Sequence, residues 1–208
     1  MTAETINENR INAKPMNSPY ILILYYSRFG HVEKLAEQLR LGVESEAMEA
    51  RLRTVPTINR HGKSSSVADS YDGPLHCKES DLNECSGLLV GSPTRFGNMA
   101  AELKYFFDST ADVWLSGGLI GKPAGVFTSS SSFHGGQEST LLSMMIPLLH
   151  HGMILCGVPY SETALNKTKH GGTPYGSSHV ESDELSPEER QICRTQGRTI
   201  ARLTKKLM

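Results

Sequence analysis

The sequence predicts a doubly wound α/β fold, a five-stranded parallel sheet with helices on both faces. From Tyr20 to the C-terminus, short apolar runs alternate with segments of helical periodicity, the order left by repeated βα units. The first run, "YILILYY", is apolar nearly throughout, as expected of a strand covered on both faces. No linker composition interrupts the alternation.

After strand one, Val32, Leu35, Ala36, Leu39 and Val43 fall on one helical stripe. "AMEARLRTV" then alternates Met48, Ala50 and Leu52 with Glu49, Arg51 and Arg53, which suits an edge strand with one wetter face. A polar, low-order stretch runs from Pro56 to Ser66. Strand three is "GLLVGSP", and the helix "NMAAELKYFFD" after it sets Met99, Leu103, Phe106 and Phe107 along one side. Strand four, "KPAGVFTSS", leads through a Ser/Gly-rich loop into an apolar helix spanning "TLLSMMIPLLHHG". Strand five is "MILCGVPYS". The last helix is announced by "SPEE", with Ser186 as N-cap, Pro187 at the first helical position and Glu189 closing a capping box. Ile192, Gln196, Ile200 and Leu203 run down its inner face. This alternation is that of the flavodoxin-like fold, in which ligands sit at the carboxyl ends of the strands.

Residues 1–19 carry no apolar signal core and read as a disordered extension, leaving residues 20–208 as a single domain. A formal net charge of -1, from 21 basic and 22 acidic side chains, provides no summed field for nucleic acid or an anionic membrane. No apolar run reaches membrane-spanning length, so no membrane insertion is expected. Cys77, Cys85, Cys156 and Cys193 lie far apart, without CxxC or metal-ligand spacing. They read as reduced thiols of a cytoplasmic protein, and no metal is expected.

Three loops carry candidate chemistry. In "SRFGHV", a strand turns into a helix through one glycine, so unpaired N–H groups and the positive end of the helix dipole face strand one. Ser27 either caps that helix or donates to a phosphate. A dinucleotide site is disfavoured, because GxGxxG and its distal acidic residue are absent. "GSPTRFGNM" follows strand three, as a polar rim for a planar heterocycle or a simple turn leading to an Asn98 N-cap. "SSSSFHGGQES" follows strand four, as phosphate or ring-edge donors or a surface loop. "SGGLIGKP" fails as a P-loop, having Ser116 where glycine is needed and Pro123 after the lysine. No GxSxG exists, and Tyr26 and Ser27 stand where a phosphoacceptor domain needs carboxylates. The fold brings the three loops to one crevice.

"YYSRFGHVEKLA", "GSPTRFGNMAAELKYFFD", "HGGQES", "LLHHGM" and "GGTPYG" together resemble the WrbA family of FMN-dependent NAD(P)H:quinone oxidoreductases. The likeness spans Tyr20 to the C-terminus and is loose from Pro56 to Leu82. It implies that Ser27, Arg28, Phe29, Gly30, His31 and Val32 cradle the FMN phosphate. It implies that Pro93, Thr94, Arg95, Phe96, Gly97 and Asn98 border the isoalloxazine ring, with Ser129, Ser130, Ser131, Ser132, Phe133 and His134 as third loop. His150 would approach the flavin across a subunit contact of a homotetramer, and Trp114 would line the substrate side. Phe29 stands where some members place a tyrosine that stacks on the nicotinamide, from NADH or NADPH. The implied reaction is two-electron reduction of quinones to hydroquinones. The flavin carries the chemistry, no side chain is catalytic, and one shared pocket gives ping-pong kinetics. The alternative is a flavodoxin-like binding protein or one-electron carrier.

Without the resemblance, His150 and His151 are explained by a helix C-terminus, and Trp114 by a core or interface position. "SETALNKTKHGGTPYGSSHVESDELS" is too long for an ordinary connection and reads as a cover beside the site or an oligomer contact.

Overall fold

The computed structural model describes residues 18–58, 74–180 and 182–208. All but two residues of the expected N-terminal extension, and most of the polar stretch after Pro56, lie outside them.

Strands β1 (Tyr20–Tyr25), β2 (Glu49–Thr54), β3 (Gly87–Pro93), β4 (Pro123–Ser130) and β5 (Ile154–Leu155) form a parallel sheet in the order β2-β1-β3-β4-β5. β2 lies at the edge, as its alternation predicts. β1 is buried along its length, and its residues alternate between two cores. Ile21, Ile23 and Tyr25 pack with Val32, Leu35, Leu39 and Val43 of α1 (His31–Glu44) and with Cys193 and Ile200 of α6 (Pro187–Leu207). Tyr20, Leu22 and Leu24 face the other core, filled from α2 (Glu79–Glu84), α3 (Ala101–Asp108), α4 (Ala111–Leu115) and α5 (Gln137–His150).

The fifth strand differs from expectation. Instead of running through "MILCGVPYS", it stops after Leu155, and β6 (Ser177–Val180) takes up the same edge of β4 farther along, pairing Phe127↔Ser177 through Ser130↔Val180. Cys156 N–H still bonds to the Ala124 carbonyl, but Val158 N–H turns to Pro174, and Pro159 has no N–H to give. The Val126 carbonyl, left in the gap between the two pieces, accepts from Gln196 Nε2 at 3.0 Å. Gln196 Oε1 accepts from Ser177 N–H at 2.9 Å and from Ser177 Oγ at 2.7 Å. A buried glutamine on the inner face of α6 thus closes the ladder break.

Other boundaries shift for local reasons. α3 begins at Ala101 because Asn98 is held in a tight turn with Arg95 and does not cap the helix. α5 begins at Gln137, earlier than the apolar run, after Gly136 at φ 93°. The short helices α2 and α4 have no periodic signal to announce them. On α6 the expected capping box is present, with Ser186 Oγ accepting from Glu189 N–H and Glu189 Oε2 accepting from Ser186 N–H. Ala201 and Thr204 are buried where Leu203 was expected, and Leu203 is half-buried. Cys85 and Cys193 are buried, Cys77 and Cys156 are half-buried, and all four are free. Among the described residues, no helix is long and apolar enough to cross a membrane.

α1 and α6 approach at backbone distance through Gly42 and Gly197. A Cβ at Gly197 would lie 2.3 Å from the Leu39 carbonyl oxygen, and one at Gly42 would lie 2.3 Å from that of Arg194. In an open helix, glycine to alanine stabilises by about 1 kcal/mol. Here the helices must separate, so Gly197→Ala is expected to destabilise by roughly 1–3 kcal/mol in urea unfolding. The sign of the change decides whether the contact holds in solution.

Candidate functional site

The sheet register places the ends of β1, β3 and β4 side by side, with Tyr25 opposite Gly91 and Pro93 opposite Ser129. Their loops enclose a cleft of about 310 Å³. Ser27, Arg28, Phe29, His31 and Val32 line it from the first loop, Pro93, Thr94 and Arg95 from the second, and Ser129, Ser130 and Ser131 from the third.

In the first loop, Gly30 caps α1 at φ 86°, a conformation that needs no Cβ, and its carbonyl accepts from Lys34 N–H. Ser27 Oγ accepts from Glu33 N–H at 3.3 Å. Capping therefore uses a lone pair of that hydroxyl and leaves its hydrogen for another acceptor, so the two sequence readings of Ser27 are compatible. Among the described residues, the N–H groups of His31 and Val32 have no partner and sit at the positive end of the α1 dipole. The charged side chains lining the cleft, Arg28 and Arg95, are both cationic. A chain of almost zero net charge has concentrated positive potential in one cleft.

The second loop is anchored by Thr94, whose N–H donates to the Ser129 carbonyl at 2.8 Å and whose Oγ1 accepts from Thr140 at 2.7 Å. Arg95 and Asn98 exchange both backbone hydrogen bonds around Phe96 at φ 52° and Gly97 at φ 76°. Two successive positive φ values make a type I′ turn, which glycine adopts freely and phenylalanine does not. The Phe96 ring is fully exposed, so no packing compensates the strain. Asn98 Oδ1 accepts from Met99 N–H and Ser143 Oγ.

In the third loop, Ser129 and Ser130 are buried and Ser131 is exposed. Ser132, Phe133 and His134 do not line the cleft. Phe133 and His134 line an adjoining groove of about 470 Å³, where the Phe133 ring stacks on His170 at 6.5 Å. The segment between β5 and β6 is therefore a cover beside the site, as one of the two readings of its length anticipates.

His150 and Trp114 are not brought to these loops within one chain. Trp114 Nε1 donates to the His150 carbonyl at 3.0 Å, beside the start of β4, about 25 Å from the cleft at the strand rise. His151 departs from the dipole explanation. Burial, then the neighbouring His150, pushes its imidazole below the ordinary range. Its Nε2 lies 3.1 Å from Thr110 Oγ1.

Sequence reasoning missed Thr140, a buried threonine in the first turn of α5, and a buried histidine, His179, on β6. Neither carries a periodic signal. Tyr26, just past β1, is raised above the usual phenol range by burial and by its hydrogen bond to Glu102.

The donor set fits a mononucleotide. Unpaired helical N–H groups, the Ser27 hydroxyl and two arginines suit a phosphate monoester, and the turn and serine loops offer polar backbone to a planar ring.

The family model described as NADPH-dependent FMN reductase matches residues 30–164. A protein named NAD(P)H dehydrogenase (quinone) from Solidesulfovibrio magneticus is 40% identical over 201 residues, covering 90% of this chain and 98% of that protein. One of the same name from Chromohalobacter salexigens is 43% identical, with the same coverage. The flavodoxin WrbA-like protein of Agrobacterium tumefaciens superposes with a TM-score of 0.65 at 21% identity, over 92% of this chain and 100% of that one, and shows the shared fold. An archaeal flavodoxin gives 0.62 at 19% identity, over 89% of this chain and 99% of that one. On this match the chain belongs to the NAD(P)H dehydrogenase (quinone) family, within the flavodoxin-like fold.

Proposed function

We propose that the chain is an FMN-dependent NAD(P)H:quinone oxidoreductase, a cytoplasmic homotetramer that reduces quinones by two electrons to hydroquinones. The observation that carries this reading is the convergence of three loops on one cationic cleft that opens on the unpaired N–H groups of α1, in a chain whose relatives bear that activity as their name.

Ser27 to Val32 would hold the FMN phosphate, with Arg28 balancing its charge. Pro93 to Asn98 would border the ring, and Ser129 to His134 would close the third side. Bound FMN supplies the hydride chemistry, so the chain's own part is to bind, orient and exclude. Phe29 is 75% exposed at the cleft, with the Arg28 guanidinium 5.4 Å from its ring centroid, and offers a stacking face to the nicotinamide of NADH or NADPH. Stacking survives without a tyrosine hydroxyl at this position.

Trp114 and His150 can act at a flavin only on a neighbouring copy. Trp114 and, on the neighbouring stretches, Leu115, Ile120, Ile146 and Leu149 are all more than half exposed, apolar side chains of the kind an interface covers. A tetramer in which neighbours complete each cleft accounts for both facts.

Purified protein is expected to be yellow and to turn over NADH with benzoquinone without a reductase partner. Donor and quinone occupy one cleft in turn, so double-reciprocal plots should be parallel. Intersecting lines would exclude a shared cleft, and colourless protein indifferent to added FMN would overturn the whole reading. Ser27→Ala should weaken FMN binding by about 1 kcal/mol, roughly fivefold, by fluorescence titration. Phe96→Asn relieves a positive φ without losing packing, so it should raise flavin-free stability by up to about 1 kcal/mol while weakening FMN.

A further inference from the structure

The α1 face of the sheet carries a buried group that the cleft chemistry above does not use. His179 on β6 is opposite Ser129 in register, so both side chains fall on the α1 side, and Ser129 lines the cleft. The His179 side chain is 0% exposed and that of Glu189 is 1% exposed. Glu189 Oε1 lies 3.0 Å from His179 Nδ1 and accepts from Gly171 N–H at 2.9 Å, and its Oε2 accepts from Ser186 N–H at 2.8 Å. Burial works to raise the Glu189 carboxyl, but the hydrogen bonds from His179, Ser186 and Gly171 outweigh it and hold it below the ordinary range. A carboxylate accepts only, so Nδ1 donates to it. Nε2 lies 3.2 Å from the Ser182 carbonyl oxygen. With both ring nitrogens engaged, the His179 imidazole has a fixed orientation.

The residue it touches is His31, the first of α1. The two rings are 5.5 Å apart and tilted by 40°. His31 lines the cleft and offers it an unpaired backbone N–H. Among the described residues no hydrogen bond holds the His31 ring, so packing against His179 is what orients it.

We propose that His179, locked by Glu189, is a positioning residue for phosphate-monoester binding: it presets His31 at the phosphate end of the cleft. The inference rests on the FMN reading above and adds to it residues that never touch the ligand. From the elements packed around His179, the titratable groups facing it are His31 of α1 and Glu189 of α6, and β4 contributes Ser129. The His179 side chain reaches the cleft through His31, while its pairing with Ser129 runs through backbone that a side-chain substitution leaves in place, so the preset acts on the phosphate end.

The test uses two ligands that differ only in the phosphate. Full-length protein stripped of flavin is titrated with FMN and with riboflavin, following flavin fluorescence. His179→Gln should weaken FMN roughly three- to tenfold and leave riboflavin unchanged. His31→Gln should do the same, and the double variant should lose no more than the larger single loss. Equal losses for both flavins would mean general loosening, and additive losses or an unchanged FMN affinity would mean no coupling; each overturns the proposal. Should His179→Gln not fold, imidazole NMR of the unmodified protein decides instead. FMN should shift the His179 signals and riboflavin should not, while identical responses would overturn the idea. If the unmodified protein binds no FMN, the functional reading falls with this one; if it binds FMN and is indifferent at His179, only this one falls.

Discussion

Burying a carboxylate costs several kcal/mol unless its lone pairs are filled, and Glu189 is buried almost completely. That requirement shapes the region around the cleft. The carboxylate needs Ser186 N–H, Gly171 N–H and His179 at once, so the start of α6, the "GGTPYG" segment and β6 must meet at one point. A capping box that would ordinarily settle one helix end here also fixes a long excursion against the sheet. Removing one partner would leave a buried charge short of donors, so the parts are held cooperatively rather than one by one.

The interrupted fifth strand poses the complementary problem for the backbone. Between β5 and β6 the ladder on β4 lacks a strand partner, and a buried carbonyl without a donor is costly. Gln196 fills that position from α6 and binds Ser177 at the point where β6 resumes. α6 therefore does two jobs on one face, through Glu189 and Gln196, seven residues apart and two turns along the helix. With both ends tied, the intervening segment lies beside the third loop, where His170 meets Phe133. The cover over the site follows from satisfying polar groups, more than from burying apolar ones.

What was legible in the sequence follows the range of the interactions. The α1 stripe, the capping box at Ser186 and the convergence of three loops all follow from periodicity, local chemistry or the strand order of the fold. The split strand was not legible, because "MILCGVPYS" is a sound strand by local pattern and loses its continuation to the distant segment Ser177–Val180. Gly42 and Gly197 carry no signal in the helical pattern, and only the close approach of α1 and α6 explains them. His151 was read by its place at a helix end, and its burial, which lowers the imidazole, was not visible from that place. Ser27 was ambiguous because one hydroxyl can accept and donate, and the structure removes the need to choose.

The two ends of the candidate site are built differently. At the α1 end, side chains are buried or hydrogen-bonded and the donors are backbone groups fixed by helix geometry. Around its opening, Phe29, Phe96 and, in the adjoining groove, Phe133 leave their rings exposed, Phe96 on a strained turn. Exposed aromatic surface on a strained backbone is costly in an isolated chain. A rigid polar end suits a ligand that stays, since preorganised donors lose little entropy on binding. An open aromatic end suits flat ligands that come and go, with stacking area gained on each arrival. A resident phosphate and exchanging planar partners would together demand the asymmetry that the three loops display.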